Sequence, residues 1–199
     1  MIQQLDLIPP ESIPPPPKMP PGPIVRAAEV AGECRFTLRR AWGAGPCILW
    51  HGLNPSKADA EVDDPTILRE IGFSFRWGFG SMVKTNFYPF VTPDPKKLRR
   101  WIKSGAGFNE AWQINALKVK DEIARAQVRV AAWGAGVAVD AVQEFMGFIY
   151  WDAERVPEWK CLGTNADGSP RHTLSRGKNR VPDSAVLVDW PFELEESYG

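Results

Sequence analysis

The chain holds only two histidines, His51 and His172, and each sits in an unusually polar stretch: "HGLNPSKADAEVDDPT" and "GTNADGSPRHTLSRG". A third such stretch, "KTNFYPF", places Asn86 just ahead of a run of aromatic residues. An Asn carboxamide both donates and accepts, so it can orient a water or read an amide-like edge, and an imidazole can donate to a developing negative charge. Cleaving an N-glycosidic bond needs a held water, a grip on the base edge, and a donor to the departing base. Asn54, Asn86 and His172 supply that set. The same three side chains also suit nucleotide binding without hydrolysis, and a base-modifying transferase could use the loop carboxylates Asp59, Asp63 and Asp64 as acid or base.

Each candidate also has a plainer role. Asn54 precedes Pro55, a pairing that starts turns. Asp64 followed by Pro65 is a helix N-cap followed by a first-turn proline. His51 can be a packed strand-end histidine, and Trp133 can either stack on a base or fill the core. Asn86 at the end of an apolar run is harder to reduce to packing, because a buried amide without partners is costly. Ser56, Arg171, Arg176 and Lys178 are the candidate phosphate contacts, which position nucleic acid without reading its sequence.

The elements that must position these residues follow from apolar periodicity. The runs 47–53, 81–88, 128–133 and 158–163 read as strands, and "AVLVDW" as a small extra one. Between them, Ile67, Leu68, Ile71 and Phe75 mark one helix, and "PDPKKLRRWIKSG" a short basic helix stopped by Gly105. Phe108, Trp112, Ala116, Val119 and Ile123 form the stripe of another, and Ala138, Ala141, Val142, Phe145, Met146 and Ile149 that of a last one. Strands alternating with helices predict a three-layer α/β/α domain over residues 25–199, built on a central, mostly parallel four-stranded sheet. Ligands of such sheets gather beyond the carboxyl ends of the strands. The polar stretches above all follow predicted strands, so they are expected to converge there.

Residues 1–24 include "IPPESIPPPPKMPPGP" and read as an extended or disordered tail, with docking to a proline-recognising protein as the functional alternative. The 24 basic and 24 acidic residues cancel, so a bulk polyanion-binding surface is not implied. Three cysteines without a C-x-x-C, and two histidines, give neither a disulfide framework nor a zinc site. The expected compartment is therefore a reducing cytoplasm, with no membrane span. No phosphate-loop or dinucleotide motif calls for a cofactor.

The pattern "GLNPS-ADA-DDPT", with "WG" and "G-PRH-L", resembles an uncharacterised bacterial and phage family of domains of unknown function, number 1643, over nearly all of residues 34–190. More distantly, "GLNPS", "KTNFYPF" and "PRHTLS" are similar to the first, second and late strand-end loops of the uracil-DNA glycosylase superfamily. That resemblance implies that Asn54 positions the attacking water, Asn86 recognises the base, and His172 stabilises charge on the departing base. Phe87, Tyr88 and Phe90, with His51 nearby, are then the candidates for contact with the base. Ser56 stands where that superfamily carries Gly, and Thr173 where it carries Pro.

Overall fold

The computed structural model describes residues 19–105 and 108–194, with only the backbone of residues 108 and 109 included. Residues 1–18, most of the proline-rich segment, lie outside it. In chain order the strands are β1 (Val25–Ala31), β2 (Cys34–Ala41), β3 (Cys47–Gly52), β4 (Ser81–Asn86), β5 (Val128–Ala131), β6 (Lys160–Cys161) and β7 (Val188–Asp189). The α-helices are α1 (Pro65–Arg76), α2 (Pro95–Ser104), α3 (Phe108–Arg125) and α4 (Val139–Tyr150).

Among the described residues the strands form one mixed sheet of seven, in the order β1-β2-β4-β3-β5-β6-β7. This corrects the expected four-stranded sheet. The inner strands β4, β3, β5 and β6 pair in parallel, while β1, β2 and β7 are antiparallel additions at the two edges.

Alternation along the inner strands divides the core in two. Ile48, Trp50, Met82, Val130 and Ala132 face α1, where Ile67, Ile71 and Phe73 cover them. Leu49, Val83 and Ala131 face the other way, against Ala116, Val119 and Ile123 of α3 and Val142, Phe145, Met146 and Ile149 of α4. Both faces of these strands are therefore removed from water, which suits a parallel arrangement. Each fully buried aliphatic or aromatic side chain here contributes about 1.5–3 kcal/mol relative to its exposed form.

Local chemistry sets the helix ends. The Oδ1 atom of Asp64 accepts from the N–H groups of Thr66 and Ile67, both at 3.0 Å, and Pro65 occupies the first helical position. Asp94 caps α2 in the same way, and Gly105 ends it with φ of 65°, a left-handed conformation that glycine adopts without steric cost. No helix among the described residues is long and apolar enough to cross a membrane.

From β3 the chain crosses to β4 on one side and later to β5 on the other. The carboxyl end of β3 is thus the point where the winding direction reverses, the usual place for a ligand in an open α/β sheet.

Candidate functional site

A cavity of about 270 Å³ opens at that reversal point. Gly52, Leu53, Asn54 and Ser56 reach it from the end of β3, Lys84 and Asn86 from β4, Trp133 from beyond β5, and His172 from the loop after β6. Asp64, Thr66 and Ile67 at the start of α1, and Arg35 from β2, complete much of the wall. The structure therefore brings together Asn54, Ser56, Asp64, Asn86 and His172, which are far apart in sequence.

Asn86 is 1% exposed, and among the described residues neither its Oδ1 nor its Nδ2 has a hydrogen-bond partner. Its main chain is fixed, since Asn115 of α3 donates to the carbonyls of Asn86 (2.8 Å) and Phe87 (3.2 Å). The amide is thus held rigidly with both polar atoms unused. That arrangement costs stability, and a ligand edge carrying one donor and one acceptor would offset the cost. Gly52 makes room for it: a Cβ there would stand 2.8 Å from Asn86 Oδ1 and 3.0 Å from Lys84 Nζ.

His172 Nδ1 accepts from the backbone N–H of Leu174 at 3.1 Å, so the neutral ring carries its proton on Nε2. Burial, reinforced by the positive charge of Lys84, pushes its pKa down to about 4. The ring is therefore a neutral donor at pH 7. Gly134, at φ of 75°, lets this loop approach closely, because a Cβ there would lie 3.2 Å from the Cβ of His172.

Asn54 donates through Nδ2 to the carbonyls of Pro55 (2.9 Å), Phe90 (3.3 Å) and Thr92 (2.7 Å). Its amide nitrogen staples two loops together, and among the described residues Oδ1 accepts no hydrogen bond. Asp64 is similarly divided: Oδ1 caps α1, and among the described residues Oδ2 has no hydrogen-bond partner. The other loop carboxylates are engaged elsewhere. Asp63 pairs with Arg40 (2.6 Å) and Arg26 (3.0 Å), while Asp59 accepts from the N–H groups of Glu61 and Val62.

Beneath the cavity lies a buried ion pair that the sequence reading missed. Lys84 Nζ is 2.6 Å from Glu70 Oε1, with side-chain exposures of 6% and 0%. Thr173 donates to the same oxygen at 3.1 Å, and Arg69 donates to the carbonyls of Thr173 (2.9 Å) and Val181. Helix α1 thus anchors both Lys84 and the loop that carries His172. Burial pushes the Glu70 carboxyl up, while Lys84 and Thr173 pull it back. A signal existed: a lysine inside the apolar run 81–88, and a glutamate in register with Ile67 on the covered stripe of α1.

Several of the expected site residues lie apart from the cavity wall. His51 is fully buried, with Nδ1 2.8 Å from Thr85 Oγ1 and the rings of Phe87, Trp133, Phe145 and Trp159 around it at centroid distances of 4.6–5.9 Å. Burial, then Lys84, pushes its pKa down to about 3. Phe87 belongs to the same core, and Tyr88 is half-buried at its margin. Strand parity separates them from the cavity. Trp50 and Gly52, like Met82, Lys84 and Asn86, point to the α1 side, whereas His51, Thr85 and Phe87 point to the α3/α4 side. Trp133 is the aromatic side chain that does line the cavity. The basic loop is also displaced from it: Arg171 donates to the carbonyl of Thr164 at 3.1 Å, and Arg176 and Lys178 are exposed around the short 3₁₀ turn Gly177–Asn179.

These features define an α/β domain with a neutral-histidine, amide-lined pocket at the reversal point of its sheet. The chain belongs to the family described as "Protein of unknown function (DUF1643)", which it matches over residues 35–174. That span runs from Arg35 to Leu174, so it contains all the cavity residues named above, His172 included. No curated protein and no solved structure matches the chain.

Proposed function

We propose that this protein is a glycosylase-like hydrolase that binds a nucleobase, in DNA or in a nucleotide, and cleaves its N-glycosidic bond. The observation that carries the reading is Asn86, a rigid, buried carboxamide with both polar atoms unpartnered, in a cavity shared with His172 and Asp64. The distant resemblance of the three strand-end loops to the uracil-DNA glycosylase superfamily supports the same reading.

In this account Asn86 pairs with a base edge that presents an acceptor and a donor, as uracil and hypoxanthine do, and Trp133 offers a flat apolar surface. As the glycosidic bond lengthens, electrons move onto the base, and the Nε2–H of neutral His172 donates to the oxygen where charge collects. Asp64 accepts a proton, through Oδ2, from a water that attacks the sugar carbon, with Asn54 Oδ1 orienting that water. The departing anion takes a proton from solvent as Asp64 releases its own, so the products are the neutral free base and a sugar with a hydroxyl at C1′.

The test is base release from oligonucleotides and nucleotides carrying uracil, hypoxanthine or hypermodified pyrimidines, followed by chromatography and abasic-site cleavage. Asp64→Asn should lower the rate by about 10²–10⁴-fold while leaving binding intact. No base released from any of these substrates would refute hydrolysis. The second reading, binding without hydrolysis, is favoured by the use of Asp64 Oδ1 as a helix cap. It predicts tight base binding by the wild type, with no turnover.

A further inference from the structure

We infer that Arg35 and Lys84 form an anion subsite inside the same cavity, and that the group it takes is the phosphate ester of the nucleotide whose base Asn86 reads. This rests on the base-handling reading above and adds the substrate's phosphate to it.

Arg35 enters the cavity from β2 and is 3% exposed. Its guanidinium donates to the carbonyl of Ala58, and its Nε has no partner. Among the described residues, Arg35 has no carboxylate within salt-bridge distance. A cation this deeply buried is costly unless an anion faces it. Lys84 differs, because Glu70 neutralises it from below. The carboxylates nearest in influence to Arg35 are Asp64, Glu70 and Asp59, of which Asp64 shares the cavity wall. The site is therefore polarised, with Asp64 at the start of α1 and the uncompensated cation on β2. Ser56 and Thr66, on the same cavity wall, add hydroxyl donors.

The alternative phosphate contacts are poorly placed. Arg176 and Lys178 are exposed and off the cavity wall, and Arg171 is committed to a main-chain carbonyl. An arginine within the cavity instead grips a phosphate close to the recognised base. Lys84 and Asn86 lie two residues apart on one face of β4, which sets anion recognition beside base recognition.

The experiment measures binding of deoxyuridine, deoxyinosine, their 5′-monophosphates, inorganic phosphate and a short single-stranded deoxyuridine oligonucleotide to the full chain by calorimetry. Each monophosphate should bind at least about tenfold more tightly than its nucleoside, the gain expected of a charged hydrogen bond. Inorganic phosphate should compete, and Arg35→Gln should bring the ratio close to one. In the wild type, the ³¹P resonance of the bound monophosphate should shift and return when excess inorganic phosphate is added, a readout that needs no variant to fold. An oligonucleotide that matches the monophosphate, with the same dependence on Arg35, would place the ester in a DNA backbone. Equal affinity for nucleoside and nucleotide, or a ratio unchanged in Arg35→Gln, overturns the subsite. Base release without phosphate dependence would leave the hydrolase reading standing. Phosphate dependence without base release would leave the subsite standing.

Discussion

Replacing the partners of the Lys84–Glu70 pair one at a time and then together should expose how strongly the cavity floor depends on it. In Glu70→Leu the Lys84 ammonium keeps its 6% exposed position, without a counter-charge. The Thr173 hydroxyl loses its acceptor as well. Breaking a buried pair from one side costs about 3–5 kcal/mol. Lys84→Met leaves a carboxyl that burial already pushes up, so it can take a proton and become neutral. A folded pKa above the unfolded one means the native state binds more protons, so this stabilising contribution is present at low pH and fades as pH rises. Relative to wild type at the same pH, which cancels most of the histidine contribution, Lys84→Met should therefore lose stability from pH 5 to pH 8, by up to about 1.4 kcal/mol per unit. The double variant Lys84→Met/Glu70→Leu has no charge left to strand and should unfold within about 1 kcal/mol of wild type. Urea unfolding of the four proteins at pH 7, with wild type and the single variants repeated from pH 5 to 8, measures the coupling. A double variant whose loss equals the sum of the single losses would refute the argument, as would a Lys84→Met protein that gains stability relative to wild type as pH rises.

Further outcomes follow from the same geometry. Gly52→Ala, whose Cβ would stand 2.8 Å from Asn86 Oδ1, should cost about 1–3 kcal/mol in urea unfolding and weaken base binding. Asn54→Ala should cost about 2–3 kcal/mol, because three loop carbonyls lose a donor, and limited proteolysis should then cut near residues 54–56 or 90–92. His51 and His172, with pKa values held down to about 3 and about 4, bind fewer protons folded than unfolded. Their contribution is complete above pH 6.5 and is lost as pH falls, at up to about 2.7 kcal/mol per unit, partly offset by Glu70. Acid titration followed by circular dichroism checks this. Arg176→Gln/Lys178→Gln should change neither stability beyond about 0.5 kcal/mol nor base binding.

The parallel centre of the sheet was legible because β3 to β6 fall within apolar runs bounded by turn residues. The antiparallel edge was not. Most of β1 is exposed and carries no alternation, and β2 buries Arg35 and Arg40 where apolar residues would signal a strand. Those arginines are accommodated by tertiary partners, Ala58, Asp59 and Asp63, that no local pattern reveals. The strand-end rule brought Asn54, Ser56, Asn86 and His172 into one group, as the cavity does. It could not separate the two faces of a strand, so His51 and Phe87 were grouped with Asn86 although they pack on the opposite side. Counting parity from the Met82–Lys84–Asn86 face would have parted them. Lys84, Glu70 and Arg35 escaped notice because a charge within an apolar segment reads as an edge or a solvated face until its partner is known.

The most direct measurement is the side-chain amide of Asn86 in ¹⁵N-resolved NMR spectra, identified by its disappearance in Asn86→Ala, during titration with uracil and with hypoxanthine. Pairing of the carboxamide with the base predicts a saturable downfield shift of its N–H protons, together with a change at the Nε2–H of His172. A base that binds while both resonances stay in place would show that recognition happens elsewhere, and the proposed chemistry would lose its foundation.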